Sequence, residues 1–174
     1  PWLQRLLAVL VFAGMLAAPL LAATVLAPER LAGYFDENHY SGLHRLHIWR
    51  FAAQRIAEAP VLGWGLDAAR RIPGSDRKLP GGGNVMSVHP HNASLQIWLE
   101  LGGIGAVLWA ALLASLWLRV GGLPQPSARA AATGLLLNGL VVANLSFGVW
   151  QTWWMAALAL SGIIFVLAQS LKNK

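Results

Sequence analysis

Four long apolar runs interrupt an otherwise polar chain, and they set the reading of everything else. A helix rises about 1.5 Å per residue, so roughly 20 apolar residues cross the hydrocarbon core of a bilayer. The first run covers about 6–26 and is ended by Pro28 and Glu29. The second covers about 93–118 and is closed by Arg119. The third covers about 130–147, and the fourth about 150–171, stopped by Lys172, Asn173 and Lys174. Gly148 and Val149 leave almost no connection between the last two, which predicts a tight helical hairpin. The pattern therefore predicts an all-α integral membrane fold of about four transmembrane helices around one partly helical, solvent-facing loop. Its segments are a span over 1–27, the large loop over 28–92, a span over 93–119 and a short loop over 120–129. Spans over 130–148 and 149–171 and a tail over 172–174 complete it.

Inside the loop the period changes. Leu46, Trp49, Ala53 and Ile56 recur at helical spacing, which predicts a helix over about 42–59 with Ser41 as its cap and Pro60 as its stop. Gly63-Trp64-Gly65 then makes a turn, and Asp67 is placed to cap a second, short helix. The stretch 73–84 is rich in Gly, Pro and charge, includes Gly81-Gly82-Gly83, and reads as a mobile loop.

Composition sharpens this picture. Hydrophobic residues make up 56% of the chain and charged residues 11%, against about 25% charged in soluble domains. The chain has no cysteine, which excludes a disulfide framework, a thiolate metal site and a thiol nucleophile. The net charge is +6. In a soluble protein that would suggest nucleic acid. In a membrane protein it speaks instead of orientation and of an anionic ligand, so no nucleic-acid partner is expected. Arg5, Arg119, Arg129, Lys172 and Lys174 fall on one side of a four-span arrangement, and the positive-inside rule makes that side cytoplasmic. The large loop then faces outward, toward the periplasm of a Gram-negative inner membrane. Tryptophans near the span ends, such as Trp150, Trp153 and Trp154, fit an interfacial belt. The chain opens Pro1-Trp2 without a charged, cleavable leader, and is expected to be the C-terminal part of a longer protein.

The chemistry concentrates at His89-Pro90-His91-Asn92, just before the second span. His91 sits at the water boundary, where an imidazole can take up a proton at neutral pH. The bland alternative is an interfacial histidine without a role. Asn92, Gln96 and Glu100 recur every four residues and share a helix face. A carboxylic acid two turns inside an apolar helix usually faces a cavity or a partner. Here it either serves a site or locks helices together, and Gly102, Gly103 and Gly105 favour close packing. Arg45, Arg50 and Arg55 lie on the loop helix. Arg45 and Arg50 are about 140° apart around it, so one can face a site while the other faces water. A guanidinium fork suits a phosphate or pyrophosphate, although a lone surface arginine is more often simply solvated. His44 and His47 are three apart with no third ligand nearby, which is weak support for a metal. No Gly-Lys-Ser/Thr follows the glycine run, so it is not a phosphate-binding P-loop.

Three blocks of sequence carry a resemblance. Arg45-Leu46-His47-Ile48-Trp49 matches an Arg-x-x-x-Trp signature, and Pro60-Val61-Leu62-Gly63-Trp64-Gly65 a Pro-x-x-Gly-x-Gly turn. His91 through Gly102 matches a pattern of His, ten residues, Gly. In this order, between spans, they resemble the O-antigen ligase and polymerase superfamily over about residues 28–170. The resemblance implies the last four spans and the large periplasmic loop of a membrane glycosyltransferase of the GT-C type. It implies transfer of a glycan from an undecaprenyl-pyrophosphate carrier to an acceptor such as the lipid A–core, without metal or other cofactor. His91 would be the general base, with Arg45, and as a second candidate Arg50, on the pyrophosphate. Asn92, Gln96, Glu100 and Gly102 would support them. The family also uses an arginine from an earlier loop, absent here, so this chain alone is expected to be inactive.

Other acceptors remain open at this point: another lipid-linked repeat, as in a polymerase, or a protein. From a different class, a transporter module would use Glu100 in an ion path, but neither a broken-helix pair nor an inverted repeat is legible. A pure assembly subunit would tolerate loss of the loop arginines.

Overall fold

The computed structural model describes residues 2–35, 40–79, 82–86 and 88–172. Gly81 of the glycine run and the tail residues Asn173 and Lys174 lie outside the described residues. The fold is all-helical. Four helices are long and apolar enough to cross a membrane: α1 (Trp2–Ala23), α4 (Ala93–Gly121), α5 (Pro126–Leu145) and α6 (Thr152–Lys172). Short α2 (Pro28–Leu31) and the longer α3 (Tyr40–Glu58) belong to the loop. Span limits move by a few residues from the sequence reading. α5 starts early because Pro126 stands in its first turn, where a missing N–H costs nothing. The tight hairpin expected at Gly148-Val149 is a connection over 146–151.

α1 and α4 pack closely and antiparallel. Pro19 lies inside α1 and leaves the carbonyl of Met15 without its intrahelical donor. The indole N–H of Trp98 on α4 donates to that carbonyl at 2.9 Å. At the opposite end, a methyl on Gly121 would lie 3.3 Å from Cβ of Gln4, and the Gln4 amide reaches Thr133 Oγ1 at 3.5 Å. Arg5, Arg119 and Arg129 therefore share one end of the bundle, and the 28–90 segment the other. None of the apolar window of α6 is buried.

The loop shares its core with the spans. α3 buries Ile48, Phe51, Ala52, Ala53 and Ile56 against Ala22 of α1, Leu95 and Leu99 of α4, and the loop residues Ala69, Ile72, Val85 and Met86. Burying a side chain of the Phe, Ile or Met class contributes about 1.5–3 kcal/mol, ample to hold the loop against the bundle. Three expectations change here. Ser41 lies inside the first turn of α3, which begins at Tyr40. Asp67 sits in the left-handed region (φ 55°), makes no side-chain cap, and is followed by a single 3₁₀ turn, Ala68–Arg70. The described residues of the 73–84 stretch are pinned by strand-like pairing: Lys78 bridges Asn84, Val85 N–H donates to Arg77, and Met86 N–H donates to Ser75. Its apolar end, Val85-Met86, is what holds it down, since both side chains are 1% exposed.

The second span departs most from expectation, because α4 is broken. Gly102 has φ 63° and ψ −165°, a conformation open essentially only to glycine. In an unbroken helix Gly103 N–H would donate to Leu99 and Ile104 N–H to Glu100. Here Gly103 N–H donates to Pro60 (2.8 Å) and Ile104 N–H to Val61 (3.3 Å). The vacated carbonyls are taken in turn, Leu99 by Trp64 N–H and Glu100 by Gly65 N–H, each at 2.9 Å. The Pro60–Gly65 turn is thus plugged into the helix break, and these four backbone groups of the helix find their partners there. Gly63 must itself be glycine: φ is 70°, and a Cβ would lie 2.6 Å from the Glu100 carbonyl oxygen.

Candidate active site

The nine-residue half-helix ahead of the break presents its side chains to the α5–α6 connection. Asn92 caps it, its side chain accepting Leu95 N–H at 2.9 Å. Ser94 donates through N–H (3.1 Å) and Oγ (2.8 Å) to Asn144 Oδ1. Gln96 Oε1 accepts Val149 N–H at 2.9 Å, while its amide donates to Glu100 Oε1 at 3.1 Å. Glu100 is fully buried. Its Oε2 accepts the indole N–H of Trp150 and the backbone N–H of Asp67, the latter at 3.1 Å. One carboxyl group therefore ties together the loop, α4 and the start of α6. Each acceptor site is used, which is the condition for burying such a group.

His91 stands at the head of this half-helix, half-buried, in the left-handed region at φ 53°. Non-glycine residues adopt that conformation at a cost of about 1–3 kcal/mol and tend to do so at functional sites. Its Nδ1 lies 2.8 Å from the carbonyl of Ser146. A carbonyl can only accept, so Nδ1 carries the hydrogen, and the lone pair of the neutral ring falls on Nε2. That is how a histidine base is usually oriented: one nitrogen is held by an acceptor and the other is left for the proton. Beside it, His89 is 7% exposed, and the two ring centroids are 4.2 Å apart. Burial, with smaller contributions from His91 and Arg70, holds the His89 imidazole down to about 4.

Arg45 approaches this region from α3. Arg45 and Trp49 are four residues apart, hence on one face. Trp49 donates its indole N–H to the Pro90 carbonyl at 2.9 Å, one residue before His91. One turn further toward the helix start, His44 Nε2 lies 2.9 Å from the carbonyl of Asn84. The Arg-x-x-x-Trp spacing thus anchors the helix through its tryptophan and carries its arginine on the same side. Among the described residues Arg45 has no hydrogen-bond or ion-pair partner, so its fork is available.

Arg50 is differently employed. Its Nη1 donates to the Ala23 carbonyl at the end of α1 (2.6 Å) and lies 3.9 Å from Glu29. Arg55 pairs with Glu58 at 3.0 Å and sits over the Phe51 ring. The structure therefore sets Trp49, one turn from Arg45, against the residue before His91, turns Arg50 toward the end of α1, and uses Asn92, Gln96, Glu100 and Gly102 as framework. His47 is lowered by burial. No cluster fit to hold a metal ion occurs among the described residues. An open hollow lined by Trp64, Asp67 and Arg71 lies outside the Pro60–Gly65 turn and includes neither His91 nor Arg45.

Several participants escaped the sequence reading. Ser146 acts through its backbone carbonyl, which no side-chain pattern signals. Asn144 was detectable as a polar residue in an apolar span. Of the tryptophans near the span ends, Trp150 donates its indole N–H to Glu100, Trp154 is buried and Trp153 is 53% exposed. The break at Gly102 supplies the broken helix that the sequence had not disclosed. Its carbonyls are already bonded to Trp64 and Gly65, so it offers no vacant ligands to an ion.

Comparison with known proteins adds an independent line. The family description "O-Antigen ligase" matches residues 2–110. A protein of Rickettsia typhi named as a polysaccharide ligase is 31% identical over 174 residues, covering 98% of this chain and 42% of that protein. One of Rickettsia conorii, named likewise, is 30% identical over 161 residues, covering 90% of this chain and 39% of its own length. This chain thus spans about two-fifths of the length of the curated relatives it matches. No solved structure matches it.

Proposed function

This chain belongs to the O-antigen ligase family, and from that premise we propose that it carries the catalytic loop of a glycan-transferring membrane enzyme. The donor is a glycan on undecaprenyl pyrophosphate, and the acceptor is a sugar hydroxyl of the lipid A–core. The loop faces the periplasm from the inner membrane, since Arg5, Arg119 and Arg129 share the opposite end of the bundle.

In the proposed step the acceptor hydroxyl attacks the anomeric carbon from the face opposite the pyrophosphate. The new C–O bond forms as the bond from that carbon to the phosphate oxygen breaks, which inverts the centre. The hydroxyl proton passes to Nε2 of His91. The bonding pair leaves with the lipid pyrophosphate, whose growing negative charge is met by the Arg45 guanidinium. Arg50 is a second candidate for that charge, already engaged at the end of α1. Pyrophosphate is a good leaving group, so charge neutralisation and one base account for the chemistry.

The observation carrying this reading is the Ser146–His91 hydrogen bond, which leaves Nε2 as the proton acceptor. The test is glycan transfer by the full-length protein in membranes. His91→Ala is expected to lower the rate about 10²–10⁴-fold, the range for losing a general base. His91→Gln is expected to fail as badly, since an amide cannot take up the proton. Full transfer by His91→Gln at wild-type expression would end the assignment.

A further inference from the structure

His89 is bound to His91 by more than sequence proximity. The His91 backbone N–H donates to His89 Nδ1 at 3.1 Å. This is the geometry of an Asx turn, in which an Asn or Asp oxygen accepts the N–H two residues on; Nδ1 of a histidine occupies the corresponding place. Pro90 between them has a fixed φ and no N–H of its own to compete. The closed turn fixes the peptide plane that enters His91, whose own φ is 53°. The His89 ring packs at 4.2 Å, tilted 56°, against the His91 ring. Its other side is filled by the α5–α6 connection: a Cβ on Gly148 would lie 2.9 Å from His89 Cδ2. The same connection supplies Ser146, the acceptor for His91 Nδ1. The two histidines and residues 146–148 therefore form one packed unit, with Nε2 of His91 its only ring nitrogen left for a substrate proton.

We propose that His89 is a positioning residue for the base. Its unprotonated Nδ1 fixes the peptide plane from which His91 departs, its ring packs against the His91 imidazole, and so the pair aims Nε2. The inference rests on the base assignment for His91, and deepens it. It requires His89 to be neutral, with its hydrogen on Nε2, because a protonated ring has no lone pair at Nδ1. Burial favours that state.

Two substitutions separate acceptor from bulk. His89→Phe keeps the ring and its packing and removes Nδ1. His89→Asn removes the ring and keeps an acceptor at the Nδ1 position. In the full-length protein in membranes, His89→Phe is expected to lower kcat about 10–100-fold, the range for losing a group that orients a reacting one, with KM for the donor near wild type. His89→Asn is expected to exceed the Phe variant by at least about tenfold, as an Asx turn restores the geometry. In a His91→Ala background the Phe substitution costs nothing further, since its effect runs through His91.

Carbethoxylation of His91 by diethyl pyrocarbonate, followed by mass spectrometry, gives a readout independent of activity. Its rate and pH midpoint are expected to shift in the Phe variant and to return in the Asn variant. Transfer by His89→Phe equal to wild type, or by His89→Asn no better than Phe, overturns the proposal, as does a loss that adds fully to His91→Ala. Failure of the base assignment is seen separately, as transfer by the His91 variants. In that case the carbethoxylation profiles decide whether His89 sets the imidazole.

Discussion

Replacing Gly102 by alanine tests the broken helix directly. At φ 63°, ψ −165° an alanine carries about 1–3 kcal/mol of backbone strain. Its methyl would also meet the Val61 carbonyl at a separation no real contact shows. The chain has an escape. α4 can close into a continuous helix, with Gly103 and Ile104 again donating to Leu99 and Glu100. The helix then loses nothing, but the Pro60–Gly65 turn loses four backbone hydrogen bonds, to Leu99, Glu100, Gly103 and Ile104. Each is worth about 0.5–1.5 kcal/mol net, less what water restores. That loss is the same in wild type, so the shift is the strain and the clash relieved on undocking, about 3 kcal/mol, roughly a hundredfold toward an undocked turn at 1.4 kcal/mol per decade. Helix content by circular dichroism should stay at the wild-type value, while proteolysis within 60–90 accelerates about a hundredfold and glycan transfer falls with it. Gly14→Ala, on an exposed face of α1 with nothing within 4 Å of the new methyl, is the control and should change neither. A Gly102→Ala protein cut no faster than wild type would refute the exchange of hydrogen bonds as the force holding the loop.

Three further outcomes are expected. The chain has no cysteine, so single cysteines at Asp76 and Ser127, both exposed, should be labelled from opposite sides of the membrane; Ser75 is unsuitable, being buried. Labelling of both from one side would remove the four-span topology. Arg45→Lys should lose most transfer because the planar fork is lost although the charge is kept, whereas Arg50→Lys should be mild, since an ammonium can still donate to Ala23. Near-normal transfer by Arg45→Ala would free Arg45 from the pyrophosphate. His89 titrates near 6.5 in the unfolded chain and near 4 in the fold, so unfolded protein takes up the proton first as pH falls. Its contribution is intact above pH 6.5, declines by about 3 kcal/mol between 6.5 and 4, and is flat below. Melting curves of wild type minus His89→Asn should show that slope, and parallel curves would contradict it.

The spans were legible because hydropathy over 20 residues needs no partner to interpret. The apolar face of α3 was legible for the same reason: Leu46, Ala53 and Ile56 are all buried as their spacing required. What escaped depends on pairs far apart in sequence. Gly102 reads as a small residue for close packing until the Pro60–Gly65 turn is seen inside the helix beside it. Pro19 is a mild defect until Trp98 supplies the missing donor. The 73–84 stretch looked mobile by composition, and the Val85-Met86 pair that pins it was outweighed by neighbouring Gly and Pro. At the site, residue types marked His91 and Arg45 as candidates, but which ring nitrogen of His91 keeps a lone pair follows from a backbone carbonyl 55 residues away.

The broken helix answers a physical problem that an intact one would pose. A water-facing loop set on the end of a membrane helix meets side chains only, because the helix has already used its backbone groups. Breaking the helix at Gly102 releases two N–H groups and two carbonyls at one place, and the turn supplies two of each in return. The loop is thereby joined to the span by backbone hydrogen bonds without leaving one unpaired in a region poor in water. Glu100, two residues before the break, takes the N–H of Asp67 from the loop and the indole of Trp150 from the α5–α6 connection, so the entry to α6 is set relative to the loop through the same point. His91 lies at the other end of that half-helix, and its partner Ser146 precedes α6. The position of His91 is consequently tied to the loop at one end of the half-helix and to the α5–α6 connection at the other. Substitutions at Gly63, Glu100 and Gly102 should therefore act on transfer as one unit, with combined losses well short of their sum.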